Sequence, residues 1–170
     1  MKQISNNSEL DELIRNAKQV DELVVLGLGI RSLAGLESIE CRSISISGVY
    51  HSGCNSDESD TIEDFSVINR IEGLEEVLIR DCRNFGNAQL SLVANCKGLV
   101  RFELSSFLPS VSDISPLYEA STLRYLNLQN YLGRHTHYGP ESPDLFELSE
   151  RLREQVKLLP SRLPNCTVVI

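Results

Sequence analysis

One spacing, apolar-x-x-apolar-x-apolar, returns along the chain. Its clearest copy is Leu123-x-x-Leu126-x-Leu128; Leu99-x-x-Phe102-x-Leu104, Leu74-x-x-Val77-x-Ile79, Cys41-x-x-Ile44-x-Ile46 and Val20-x-x-Leu23-x-Val25 are looser ones. A local pattern recurring at intervals of about 20 to 45 residues marks a chain built by stacking similar units, each burying its apolar side against its neighbours. The last two apolar positions of every copy are two residues apart, the period of a strand. Short strands are therefore expected around Leu23-Val25, Ile44-Ile46, Val77-Ile79, Phe102-Leu104 and Leu126-Leu128, with these side chains inward. Leu163-x-x-Cys166-x-Val168 supplies a sixth strand, and the offsets between successive units are 21, 33, 25, 24 and 40 residues. A constant core pattern with variable connections places the insertions in loops outside the stack.

The connections carry helical signals. Asn87 to Cys96 gathers Leu90, Val93 and Ala94 on one side, and Asp60 to Asn69 does the same for Ile62, Phe65 and Ile68. Ser115-Pro116 reads as a cap followed by proline at the first helical position. Ser142 to Leu159 aligns Leu145, Leu148, Leu152, Val156 and Leu159, while Ser8 to Gln19, with Ser8 as cap and Asp11 three residues on, predicts an amphipathic helix that covers the open end of the first unit. Strand, helical return, strand implies parallel pairing. The expected organisation is one α/β domain over 1–170: a helical cap at 1–19, then about six irregular repeats at 20–170 with insertions near 47–64 and 131–160.

This pattern resembles the leucine-rich repeat family. The segment Val111-Ser112-Asp113-Ile114-Ser115-Pro116-Leu117 followed by Leu123-Arg124-Tyr125-Leu126-Asn127-Leu128 is similar to the repeats of bacterial internalin-type proteins. The resemblance implies a solenoid with a concave parallel β-sheet, helical returns on the convex side and protein binding on the concave face. It also implies an asparagine ladder three residues past each strand's last inward residue. This chain has Leu28, Val49, Cys82, Phe107 and Tyr131 there, of which Cys82 alone is a usual substitute.

Charge narrows the classes of partner. Lys and Arg total 16 against 24 Asp and Glu, a formal net charge of −8, with no basic stripe to neutralise phosphates; nucleic acid and anionic membranes are therefore not expected partners. No run of about 18 apolar residues could span a bilayer, and Met1 to Asp11 lacks the apolar run of a secretory signal, so a cytoplasmic location is expected. Five cysteines, of which Cys41, Cys82 and Cys166 occupy core-like positions, fit a reducing compartment. An acidic protein complements a basic one.

The outward strand positions define the candidate partner-binding surface: Val24 and Leu26; Ser43, Ser45 and Ser47; Glu76, Leu78 and Arg80; Arg101, Glu103 and Ser105; Tyr125, Asn127 and Gln129. Arg80, Arg101, Glu103, Tyr125, Asn127 and Gln129 carry the aromatic, guanidinium and polar groups that anchor protein interfaces. Asp57, Glu58 and Asp60 lie in a Ser-, Gly- and Asn-rich insertion and form an acidic finger, and Tyr131 and Arg134 extend the surface through the second long connection. His51, His135 and His137 could serve a metal-dependent hydrolase only if a loop gathered them, and their spacing provides no such geometry. Gly-x-Ser-x-Gly, phosphate-binding loop, Cys-x-x-Cys and His-Glu-x-x-His motifs are absent, and no cofactor or metal is expected. The expectation is a non-enzymatic binding protein that resembles bacterial immunity proteins, blocking a basic toxin domain; a general scaffold or adaptor is the alternative.

Overall fold

The computed structural model describes residues 1–27, 29–48, 62–106, 110–135 and 139–170. Among these residues seven strands form one open, wholly parallel sheet: β1 (Lys2–Ile4), β2 (Gln19–Leu26), β3 (Glu40–Ser47), β4 (Glu76–Arg80), β5 (Arg101–Ser105), β6 (Tyr125–Asn127) and β7 (Thr167–Val169). They lie side by side in sequence order, so each pairs only with its predecessor and successor. Among the described residues, four helices occur in the connections, α1 (Asn7–Asn16), α2 (Asn87–Ala94), α3 (Gln129–His135) and α4 (Pro143–Arg162), together with three 3₁₀ turns, Leu36–Ser38, Ile68–Arg70 and Ser115–Glu119.

Register follows the repeat. Leu23, Ile44, Val77, Phe102 and Leu126 are successive partners from β2 to β6, and Val25, Ile46, Ile79 and Leu104 form a second such line. Both lines are buried and belong to one hydrophobic cluster running from Ile4 to Leu163. Leu10 and Leu13 of α1, Leu90 and Val93 of α2, Tyr131 of α3, and Leu152 and Leu159 of α4 join the same cluster, so these helices all cover one side of the sheet. Phe65, Phe85 and Phe102 fill its middle, with ring centroids 5.5 Å apart for the first pair and 6.4 Å for the second. Continuous burial from strand to strand couples neighbouring units: each buried aliphatic side chain contributes about 1.5 to 3 kcal/mol, against about 1 to 2 kcal/mol of backbone entropy for every residue fixed.

Several local features differ from the sequence expectations. The strand β1 precedes α1 and pairs Ile4 with Val25. The cap of α1 is Asn6, not Ser8: its Oδ1 accepts the Glu9 amide at 3.0 Å, and the Glu9 carboxylate accepts the Ser5 amide at 2.6 Å. The stretch 62–69 is not an α-helix. Asp64 accepts the Ser66 amide at 2.8 Å and the Ser32 hydroxyl at 2.8 Å, a local turn that competes with helical bonding, and a 3₁₀ turn follows. Ile62, Phe65 and Ile68 are nevertheless all buried, as their spacing implies. In β7, Val168 rather than Cys166 lies opposite Leu126. This two-residue slip preserves the inward face; Cys166 stays in the turn that leaves α4, where its amide bonds to the Leu163 carbonyl at 3.0 Å. Finally, part of the second long connection is the helix α3, which buries Tyr131, Leu132 and His135.

Candidate functional site

The sheet side away from the helices displays every outward residue in register. One row runs Glu22, Ser43, Glu76, Arg101, Tyr125 and Thr167 from β2 to β7; the next runs Gln3, Val24, Ser45, Leu78, Glu103, Asn127 and Val169 from β1 to β7. Leu26, Ser47, Arg80 and Ser105 form a shorter third row. Most of these side chains are half-buried, because neighbours on adjacent strands shade each other while the two-residue alternation keeps their tips outward.

Three candidates from two adjacent rows meet. The Arg101 guanidinium lies 4.5 Å above the centre of the Tyr125 ring, and its Nε donates to Glu103 Oε1 at 2.9 Å while Nη2 donates to the same oxygen. The Glu103 hydrogen bond holds the guanidinium pKa above its ordinary value, so Arg101 is a fixed cation. Its side chain remains 42% exposed and that of Glu103 only 18%. The result is a pre-shaped anchor: the tyrosine supports one face of the guanidinium, the carboxylate fixes its tilt, and part of it faces outward.

The remaining candidates separate. Arg80 is exposed at the end of β4, where its carbonyl accepts the Gly48 amide at 2.8 Å. Asn127 turns its Oδ1 to the Gln129 amide at 3.1 Å, starting α3, so Gln129 is exposed on that helix and not in a strand row. Tyr131 is not a surface residue. It is fully buried, with its hydroxyl accepting the Val111 amide at 2.9 Å and donating to the Val111 carbonyl at 2.5 Å. Its position past β6, which the family resemblance would give to asparagine, lets one phenol satisfy both backbone groups of a buried turn. Arg134 is exposed on α3. Asp57, Glu58 and Asp60 lie outside the described residues, as do His51, Cys54, His137 and the ladder positions Leu28, Val49 and Phe107.

His135 is 1% exposed, its ring 4.6 Å from that of Tyr131 and its Nε2 3.1 Å from the Ser106 carbonyl, and burial pushes its pKa down. It packs the core of the C-terminal units. Among the described residues no three His, Cys, Asp or Glu side chains are grouped to hold a metal ion. Cys41, Cys82 and Cys96 are buried free thiols, and burial pushes Cys82 and Cys96 each up to about 12. The Cys82 thiol faces the carbonyls of Arg80 at 3.4 Å and Ile46 at 3.7 Å. No described helix is long and apolar enough to cross a membrane.

Reading the outward positions of the strands alone overlooks the charges at the strand starts. Asp21, Arg42, Glu75 and Arg124 are all exposed beside the first row. Their signal was present: the two x positions in apolar-x-x-apolar face outward where the chain enters a strand. Comparisons with protein-family models, with curated proteins and with solved structures find no match to this chain.

Proposed function

We propose that the chain is a leucine-rich repeat solenoid whose open sheet face binds another protein, and that it acts without enzymatic activity in the cytoplasm as an immunity protein that blocks a toxin. The observation that carries the reading is the meeting of Arg101, Glu103 and Tyr125 on a sheet side that no described helix covers. Aromatic and arginine side chains held rigid before contact are the groups that contribute most to protein interfaces, because little side-chain entropy remains to be lost. The net charge of −8 favours a basic partner, and the acidic insertion around Asp57, Glu58 and Asp60 adds to that preference.

The test is co-expression with each product of the neighbouring genes. The reading expects one partner in a 1:1 complex, relief of that partner's toxicity, and a loss of about 2 kcal/mol or more of binding on Arg101→Ala or Tyr125→Ala. Several partners of roughly micromolar affinity, with no toxicity to relieve, replace the immunity reading by an adaptor. A complex that forms equally well with both variants removes the sheet face from the proposal.

A further inference from the structure

The open face is electrically divided. On and just before β2, β3 and β4 stand Asp21, Glu22, Glu40, Glu72, Glu75 and Glu76 against Lys18, Arg42 and Arg80; on and before β5 and β6 stand Lys97, Arg101 and Arg124 against Glu103. The ion pair of Arg101 with Glu103 neutralises one cation of the second half and leaves Lys97 and Arg124. None of the six carboxylates of the first half forms an ion pair with a described residue. Beside these carboxylates the floor is shaped: past Glu40 and Arg42 at its start, β3 presents Ser43, Ser45 and Ser47 outward, beside the bulkier Val24 and Leu26 of β2 and Leu78 and Arg80 of β4. Ser45 lies between Val24 and Leu78, Ser47 between Leu26 and Arg80, and Ser43 between Glu22 and Glu76, so the small side chains of the central strand make a shallow trough along β3 with carboxylates where the strands begin and a guanidinium where they end.

Its charge and aliphatic rim select an occupant. Neighbouring strands are about 4.8 Å apart, so the axes of β2 and β4 stand about 10 Å apart, and a helix about 10–12 Å in diameter rests on the side chains of both strands rather than between them. We propose that this trough seats a basic amphipathic helix of a partner protein, apolar side toward Val24, Leu26 and Leu78 and lysines or arginines toward Glu22, Glu75 and Glu76. The proposal rests on the protein-binding reading above and adds where the partner lies and which charge it brings. A helix docked along β3 has its cations at the strand-start end, so the partner's orientation is fixed as well as its place.

The probe is a synthetic helical peptide with leucines along one side and lysines along the other, titrated into the isotope-labelled full chain. The expected result is amide shifts centred on β2, β3 and β4 and affinity at least about tenfold weaker at high than at low salt. The triple variant Glu22→Gln, Glu75→Gln, Glu76→Gln should weaken binding about fivefold or more, whereas Glu147→Gln, Glu150→Gln, Glu154→Gln on α4, an equal change in net charge, should leave it within about twofold. Equal loss in both triples, shifts centred elsewhere, no binding of the lysine peptide, or equal binding of its glutamate counterpart overturns the proposal. So does a dimer of the chain alone that the first triple dissociates, since a second copy is then the occupant. A natural partner lost on Tyr125→Ala but indifferent to the first triple leaves the binding module standing and removes only the helix trough.

Discussion

Replacing Arg101 by glutamate tests whether the anchor on β5 is built as described. The change deletes the ion pair with Glu103, about 0.2 to 1 kcal/mol for a partly exposed pair. It also deletes the stack on Tyr125, about 0.5 to 1 kcal/mol. A third carboxylate then stands beside Glu103 on the same strand and Glu76 directly across on β4, a like-charge contact of a few tenths of a kcal/mol. The sum is about 1 to 3 kcal/mol, and for a chain of this size each kcal/mol lowers Tm by about 2 to 4 °C. Thermal unfolding followed by circular dichroism should therefore show a fall of about 2 to 12 °C with an unchanged folded spectrum. The swap Arg101→Glu with Glu103→Arg restores the pair but not the stack, so it should recover part of the loss and remain about 0.5 to 1 kcal/mol below the parent. At 1 M salt, where the screening length is about 3 Å, the single variant should move toward the parent by the pair's share alone. A swap no better than the single change refutes the role given to Glu103. Collapse by more than about 15 °C would mean that residue 101 faces inward and that the register of β5 is wrong.

Three further outcomes follow from the geometry. Gly48→Ala would place a Cβ 2.1 Å from the Asp81 carbonyl oxygen and 2.8 Å from its carbon, both backbone atoms, so it should destabilise by about 1 to 3 kcal/mol in chemical denaturation; a neutral result would show that the turn after β4 yields. Tyr131→Phe removes the phenol that satisfies both backbone groups of Val111 and should lose about 1 to 3 kcal/mol with little change in fold, read by the denaturation midpoint at constant slope. His135 has a folded pKa below its unfolded value of about 6.5, so the unfolded chain binds the proton first and stability falls as pH drops below about 6.5. His135→Gln, which keeps a donor for the Ser106 carbonyl but cannot titrate there, should flatten that slope; an identical slope in the variant would place the acid sensitivity elsewhere.

What could be read from sequence divides along a physical line. The strand positions from Leu23 to Leu126 were legible because the spacing that buries a side chain also sets the pairing register. The turns were not, because their geometry depends on partners distant in sequence. The Ser32 hydroxyl on Asp64 and the Val111 backbone on Tyr131 are contacts across 32 and 20 residues, and neither leaves a local signature. The short helix α3 contains Gly133 and two aromatic rings, a composition that reads as a loop until the core beneath it is known. For the site, Arg101, Glu103 and Tyr125 were legible as outward residues, yet their contact depends on Tyr125 standing opposite Arg101 in the β5 to β6 register. The aromatic ring of Tyr131 signals an interface and a core equally well, and its burial follows only from the contact with Val111.

The order of strands also bears on how the chain is made. A sheet in which neighbours in space are neighbours in sequence lets the nascent polypeptide pair β2 with β3 while the C-terminal half is still being synthesised. Each new strand then finds a template already waiting, and the growing edge at any moment is the strand most recently added, opposite the edge formed by β1. The 20-residue helix α4 delays the last addition, so β6 is the growing edge that waits longest for its neighbour and a place where premature association between growing chains should concentrate.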